Sequence, residues 1–140
     1  MSALRTHTYE AMFLFPQSAS ADLKSAADHV HSLLDRAKAE VISFAKWDER
    51  RLAYEIQGNK RGVYFLTYFR TTTDNIAGLE RNANLSEQIL RFMITRADHV
   101  PAEEMQTADG RERLADEINL RATQADESSR PETVEAGAEA

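Results

Sequence analysis

The chain of 140 residues contains no cysteine, which excludes disulfide bonds, thiolate metal sites and cysteine nucleophiles. It also has no apolar run of the roughly 18 to 20 residues that a membrane-spanning helix needs. Only about seven residues precede the first strand-like segment, so we expect no signal peptide and a cytoplasmic protein without a membrane partner. The length predicts one domain with a single core.

Positive charge is in short supply, with 17 Lys and Arg against 23 Asp and Glu and a formal net charge of −6. The deficit is confined to one part of the chain. Residues 1–100 carry 13 basic and 12 acidic side chains, whereas residues 101–140 carry 4 and 11. The first hundred residues are therefore close to neutral, which leaves room for a small cluster of cations that contacts nucleic acid.

Residues 101–140 contain no aromatic side chain and too little apolar surface to offset the entropy lost on ordering. We therefore predict a domain over residues 1–100 followed by an acidic, mostly disordered C-terminal extension. An alternative is a short helix capped by Asp109 or Thr107 that docks on a partner. The apolar side of this helix would carry Leu114, Ile118 and Ala122.

Alternation and aromatic content predict strands over residues 8–15, 41–56, 63–70 and 89–96, with a hairpin at 57–62. The long second strand is expected to be bulged near Asp48 and Glu49. Ser18 or Ser20 is expected to cap the first helix, and the cluster 71–74 the second. The apolar stripes of the two helices are Leu23, Ala26, Ala27, Val30, Leu33, Leu34 and Ala37, and Ile76, Leu79 and Ala83. The order β-α-β-β-α-β indicates an α+β, ferredoxin-like fold, a four-stranded antiparallel sheet with two helices on one face.

The first and third predicted strands are apolar on both faces, but two helices can cover only one face of the sheet. The other face should then be an exposed apolar surface that binds a partner. The candidate partner-binding residues are Met12, Leu14, Trp47, Tyr54, Tyr64, Leu66 and Tyr68. In the alternative interpretation, the C-terminal extension or a second copy of the chain covers this face. Separately, Trp47 is equally well explained as an ordinary core residue.

Arg50 and Arg51 interrupt an apolar, aromatic strand, and a buried arginine must be paired or face a charged partner. We therefore expect this strand to carry charge to RNA phosphates. The candidate RNA-binding residues are Arg5, Arg50, Arg51, Lys60, Arg61, Arg91 and Arg96. The simpler interpretation is that Arg50 only pairs with Asp48 or Glu49, a surface contact of little energetic value.

Four segments in register resemble the bacterial small-subunit ribosomal protein six family. They are Tyr-Glu-Ala-Met at 9–12, Arg-Arg-Leu-Ala-Tyr-Glu-Ile at 50–56, Gly-Val-Tyr-Phe-Leu at 62–66 and Ile-Leu-Arg-Phe-Met at 89–93. The resemblance covers about residues 5–98, and Arg-Arg-Leu-Ala-Tyr is its most specific part. The chain departs from the family mainly in its acidic extension.

This resemblance implies the ferredoxin-like fold and a non-catalytic, structural role in the small ribosomal subunit that supports subunit assembly and translation. It also implies binding to the central domain of 16S rRNA jointly with ribosomal protein eighteen. We accordingly expect no catalytic residue, cofactor, metal or small-molecule substrate.

Two other hypotheses make different predictions. Residues 61–68 partly match the third strand of an RNA recognition motif, which would place Phe13 and Phe65 on the open face to stack on single-stranded bases. The ribosomal interpretation turns both rings inward. An enzyme is the third hypothesis, but the loop after the first strand has no glycine or basic residue to cradle a phosphate. His29 and His31 are two apart on a predicted helix and therefore make a poor metal pair.

Overall fold

The computed structural model describes residues 5–129, without the side chains of residues 122–129. The elements follow in the order β1 (Thr6–Pro16), a 3-10 helix (Gln17–Asp22), α1 (Leu23–Arg36), β2 (Glu40–Ile56), β3 (Asn59–Thr72), α2 (Thr73–Leu85), β4 (Arg91–Arg96), α3 (Ala102–Thr107) and α4 (Arg111–Ser129). The β-α-β-β-α-β order of the first 100 residues confirms the predicted ferredoxin-like fold.

The four strands form one antiparallel sheet in the order β2-β3-β1-β4, so that β2 and β4 are the edges. Phe13 in β1 is the register partner of Phe65 in β3 and of Phe92 in β4. The long β2 shifts register against β3 three times, and one shift falls between Lys46 and Asp48, near the predicted bulge. Such irregularities bend the strand and increase its twist.

The phenylalanine side chains of the sheet form the centre of the core with α1 and α2. Phe13, Phe44, Phe65 and Phe69 are fully buried, and the rings of Phe44 and Phe65 stack with centroids 5.6 Å apart. All seven apolar side chains predicted for the first helix are buried as well. The helical spacing in the sequence therefore identified this face correctly.

The start of α1 differs from the prediction. The cap is Asp22, whose carboxylate accepts a hydrogen bond from the Ser25 backbone N–H at 3.1 Å, and neither Ser18 nor Ser20 serves. The reason is the 3-10 helix, which occupies both serines and delays the start of the α-helix to Leu23.

The C-terminal extension is not disordered over its described part, contrary to the expectation. Leu114 of α4 is 5% exposed and joins the core cluster, and Ile118 packs against the same cluster. The helical alternative is thus the better one, although the helix docks on its own domain. The average composition of the extension did not indicate an ordered helix. A few correctly spaced apolar side chains are enough to order one when they can pack into a groove, and here the groove lies beside α1 and Phe44. Residues 130–140 and the side chain of Ala122 lie outside the description.

The turn before α4 covers the free edge of β2. The Gly110 N–H donates to the Phe44 carbonyl at 2.9 Å, and the Phe44 N–H donates to an Asp109 carboxylate oxygen at 3.0 Å. Arg111 donates to the Ile42 carbonyl at 3.3 Å. An uncovered edge strand is a template for pairing with another chain, so these bonds protect the sheet.

Four partly buried charges then hold α4 along β2. Glu49 accepts from Lys46 and from Arg121, both at 2.7 Å, and Glu117 of α4 pairs with the same two cations. Arg121 also donates to the Ser20 carbonyl at 2.6 Å. Burial alone would raise the pKa of Glu49, but the hydrogen bonds and charges of Lys46 and Arg121 outweigh it and lower the pKa.

We predict that Leu114→Ala lowers the free energy of unfolding by about 2 to 4 kcal/mol, because it opens a cavity in the core. Leu120→Ala is the matched control, since Leu120 lies on the same helix but is 58% exposed, and its effect should stay within about 0.5 kcal/mol. Urea unfolding followed by circular dichroism measures both. Equal effects of the two variants would contradict docking of α4.

A second prediction concerns His31, which is half-buried against Phe44 with ring centroids 4.3 Å apart. Burial lowers its pKa, with the Arg111 charge adding to this and Asp28 and Asp35 opposing it. The folded state thus disfavours protonation, and stability present above about pH 6.5 should fall as the pH drops below it. NMR titration of the imidazole should give a pKa below the ordinary value, and His31→Gln should reduce the slope of stability against pH between about 5 and 7. An unchanged slope would show that His31 does not contribute.

Candidate RNA- and protein-binding surface

The face of the sheet opposite α1 and α2 contains an apolar groove of about 270 Å³. It lies between β4 and the outer part of the β2–β3 hairpin. Its lining is Met12, Leu14, Leu52, Ala53, Tyr54, Ile56, Tyr64, Arg91, Phe92 and Met93. The groove is thus open, mainly apolar, and bordered by a basic side chain.

Four of the seven predicted partner-binding residues line this groove, namely Met12, Leu14, Tyr54 and Tyr64. Tyr54 is 63% exposed, whereas Leu14 is only 4% exposed and forms the floor of the groove. Leu14 is covered because Gly62 lies directly beside it: a Cβ at Gly62 would be 2.4 Å from Leu14 Cδ1.

Trp47 lies beside this groove and is not a core residue, since it is 46% exposed. Its ring meets Tyr64 edge to face with centroids 5.6 Å apart. The guanidinium of Arg50 lies 4.6 Å from the Trp47 ring centroid and pairs with Asp48 at 2.9 Å. The hydrogen bond from Arg50 lowers the pKa of Asp48. Arg50 therefore forms the ion pair with Asp48 that the simpler interpretation expects.

Leu66 and Tyr68 lie on the same face but outside the groove. The Tyr68 hydroxyl donates to Glu10 at 2.6 Å, and this bond, together with burial and the charges of Glu10 and Glu104, raises the pKa of Tyr68 to about 12. Glu104 belongs to α3, in the connection that leads from β4 at one sheet edge to β2 at the other. The described part of the extension therefore approaches the Tyr68 end of this face and leaves the Tyr54 end open.

Sequence reasoning missed five of the groove residues, namely Leu52, Ala53, Ile56, Phe92 and Met93. Leu52 is 8% exposed and Met93 is 58% exposed. Each lies two residues from a predicted site residue, Tyr54 and Arg91 respectively, and residues two apart in a strand share a face. That spacing was the signal that could have found these two.

Arg51, Lys60 and Arg61 form the cationic hairpin. Arg51 and Arg61 are register partners on β2 and β3, and all three side chains are exposed. In the described part of the chain none of them forms an ion pair with a carboxylate. Because β1 pairs with β3 only from Gly62 onward, residues 59–61 and their partners on β2 project beyond the sheet. Arg51 is therefore exposed, whereas we expected it to be buried.

The other predicted RNA contacts divide between the two ends of the sheet. Arg91 borders the groove and lies 5.7 Å from the Tyr54 ring centroid. Arg96 is at the far end of β4, about 17 Å away at roughly 3.4 Å per residue, and pairs with Asp98 at 2.8 Å. Arg5 precedes β1 at that same far end. The structure therefore groups Arg91 with the cationic hairpin and separates Arg5 and Arg96 from it.

The structure contradicts the RNA recognition motif hypothesis. Phe13 and Phe65 are both 0% exposed and belong to the core, so neither can stack on a base. Among residues 5–121, whose side chains the structure describes, no group of three His, Asp or Glu side chains is arranged to hold a metal ion. None of the described helices is long and apolar enough to cross a membrane.

The family model of ribosomal protein S6 matches residues 8–96, from the third residue of β1 to the end of β4. The chain belongs to the ribosomal protein S6 family. The family consists of structural, non-enzymatic proteins of the ribosome. The match ends at Arg96, so the segment that forms α3 and α4 lies outside it.

Relatives in the S6 family support this assignment. A small ribosomal subunit protein bS6 from Porphyromonas gingivalis is 36% identical over 69% of this chain and 84% of its own length. One from Helicobacter hepaticus is also 36% identical, over 63% of this chain and 65% of its own length. The crystal structure of 30S ribosomal protein S6 from Thermotoga maritima shares the fold, with a TM-score of 0.63 and 24% identity over 74% of this chain and 98% of that one.

The close packing of Gly62 at the groove floor gives a prediction, for which Gly78 serves as the control. Gly62→Ala should destabilise the protein and disturb the groove, because the new Cβ would lie 2.9 Å from the Phe15 carbonyl oxygen as well as against Leu14. Gly78→Ala is the control, since nothing lies within 4 Å of its Cβ position inside α2, and it should stabilise by about 0.4 to 1 kcal/mol. Thermal unfolding distinguishes them. Similar shifts for both would show that Gly62 is not closely packed.

Proposed function

We propose that this chain is a structural constituent of the small ribosomal subunit that binds the central domain of 16S rRNA jointly with ribosomal protein eighteen. The homologues are small ribosomal subunit proteins, and that subunit is cytoplasmic in bacteria. The cationic hairpin supplies the RNA contact, and the groove beside it supplies the protein contact.

The observation that supports an RNA contact is that Arg51 of β2 and Arg61 of β3 are register partners and so lie opposite each other. Like charges directly opposite each other in a sheet are destabilising, and here no carboxylate in the described part of the chain compensates them. A phosphate group between or beside the two guanidinium groups would remove this repulsion and accept several hydrogen bonds. Lys60 adds a third charge at the same place.

The partner contact follows from the groove. Its aromatic and sulfur-containing side chains, Tyr54, Tyr64 and Met93, are types enriched at protein interfaces. Arg91 stands at its border, so that a partner seated in the groove would lie next to RNA bound at the hairpin. With few unpaired cations, the chain should bind RNA weakly alone and more tightly with a basic partner.

The test is binding of the full chain to a central-domain rRNA fragment at two salt concentrations, with and without ribosomal protein eighteen. We expect tight binding only when both proteins are present, and a strong decrease at the higher salt concentration. Equally tight binding without the partner would contradict the joint mechanism. No binding under any of these conditions would refute the proposed function.

Within that assay, Arg51→Gln combined with Arg61→Gln should weaken binding at low salt and reduce the slope of log affinity against log salt by about 1.5 to 2, since two phosphate contacts are lost. Arg81→Gln is the matched control, because Arg81 is an exposed cation on α2, away from the groove face. The control should bind like the parent chain. A salt slope that is unchanged in the double variant would exclude the hairpin as the RNA contact.

A further inference from the structure

A second concave site lies between the turn of the β2–β3 hairpin and the end of α2 with the loop after it, and we call it the polar cleft. It has a volume of about 660 Å³, within the roughly 300 to 1,000 Å³ typical of ligand sites. The polar side chains that border it are Glu55, Gln57, Asn84 and Glu87. Ile56, Arg91 and Phe92 line both the polar cleft and the apolar groove, so a ligand in one would lie next to a partner in the other.

Hydrogen bonds fix both walls of the polar cleft. At the hairpin turn, the side-chain amide of Asn59 donates to the Gln57 carbonyl at 3.2 Å. On the opposite wall, the Ser86 hydroxyl oxygen accepts from the Gln88 N–H at 3.2 Å and lies 2.7 Å from His29 Nε2. The cleft is therefore preformed, and a ligand that enters it needs to order little of the chain.

The four polar side chains offer two kinds of hydrogen-bonding group. The amides of Gln57 and Asn84 both donate and accept, whereas the carboxylates of Glu55 and Glu87 only accept. All four side chains are exposed, and among the described residues none of them has a hydrogen bond or an ion pair. The carboxylates would repel a phosphate but suit a ligand with amino groups.

Gln57 adopts a backbone conformation that glutamine rarely takes. Ile56 and Asn59 are register partners, and the two residues between them have φ angles of 48° at Gln57 and 82° at Gly58. A two-residue turn with both φ angles positive prefers Asn or Gly at its first position. Strained residues of this kind cluster at binding sites. The backbone thus gives no reason for glutamine at this position, whereas an amide at the cleft does.

We propose that the polar cleft binds an unpaired RNA base with an exocyclic amino group, while the cationic hairpin binds the neighbouring phosphates. Adenine, cytosine and guanine have such an amino group, which donates hydrogen bonds to carboxylate oxygens, and uracil has none. Lys60 follows Gln57 by three residues across the turn, so the base and phosphate sites adjoin. Phosphate contacts alone do not distinguish bases, and the cleft adds that distinction. The inference rests on the proposed RNA contact of the hairpin.

The base preference is tested with hexacytidylate and hexauridylate, two RNA oligonucleotides of equal charge. Cytosine has an amino group at C4 where uracil has an oxygen, so the bases differ while the phosphates are matched. We expect the full chain to bind hexacytidylate about three- to tenfold more tightly at ~20 mM salt, with equal salt slopes for the two. Equal affinities, a preference for hexauridylate or no binding of either oligonucleotide would overturn the proposal.

The role of the carboxylates is tested by Glu55→Gln combined with Glu87→Gln. These changes preserve the size of both side chains but add amide donors that can pair with the C4 oxygen of uracil. The ratio of the two affinities should then fall to about one. The matched control is Glu80→Gln combined with Glu112→Gln, which changes the net charge equally at exposed carboxylates outside the cleft. The control should keep the ratio of the parent chain, and an equal fall in both variants would refute the role of the cleft.

The amides are tested separately by Gln57→Gly combined with Asn84→Ala. This variant should bind both oligonucleotides about fivefold more weakly with an unchanged salt slope, since no phosphate contact is lost. The fold should persist, because glycine adopts a positive φ without strain and alanine favours the helix. Gln88→Ala is the control, an exposed amide in the same loop but outside the cleft, and it should bind like the parent chain. Unchanged affinity in the cleft variant would count against the proposal.

The rRNA assay separates this proposal from the proposed function. If the full chain binds the rRNA fragment with ribosomal protein eighteen but does not distinguish the two hexanucleotides, the cleft proposal fails and the proposed function stands. If the chain prefers hexacytidylate through the cleft but does not bind the rRNA fragment, the proposed function fails and the base site stands.

Discussion

The structure depends on one constraint: the four-stranded sheet is apolar on both faces, and the helices α1, α2 and α4 that share its core pack on only one of them. On the helical side this produces a core of fully buried phenylalanines, in which Phe13 pairs in register with Phe65 and Phe92. On the other side the apolar surface persists as a groove lined by aromatic and methionine side chains. The same alternation that stabilises the domain therefore creates its candidate interface.

The C-terminal extension limits how much of the sheet remains free. It crosses from β4 to β2, approaches Tyr68 through Glu104, and covers the β2 edge at Phe44. The partly buried ion pairs of Lys46 and Arg121 with Glu49 and Glu117 then fix α4 beside β2. One consequence is protection of an edge strand, and another is that the described part of the extension leaves the groove and the adjoining hairpin open.

For a nucleic-acid contact, the positions of the charged side chains in this protein matter more than its net charge. The near-neutral domain neutralises Arg50 and Arg96 with neighbouring aspartates, but leaves Arg51 and Arg61 opposite each other without compensation. A net charge of −6 would argue against a nucleic-acid contact if it were spread evenly. Local concentration of cations where the hairpin projects beyond the sheet makes such a contact physically reasonable.

The sequence by itself determined the order of the elements, the inward face of the first helix and the inward orientation of Phe13 and Phe65. These features depend on local periodicity, which alternation in strands and spacing in helices record directly. It also carried the motifs by which the family could be identified.

Only the tertiary structure decided the remaining features, because they depend on residues far apart in the chain. Leu14 becomes the groove floor through its contact with Gly62, and Arg51 is exposed because β1 ends its pairing at that glycine. Helix α4 is ordered because it packs against α1 and Phe44, which lie more than sixty residues earlier in the chain. Local composition carries no information about contacts between residues so far apart. Side-chain burial and ion pairing are properties of the assembled fold. They can be predicted from the sequence only where they depend on residues that are close together in the chain.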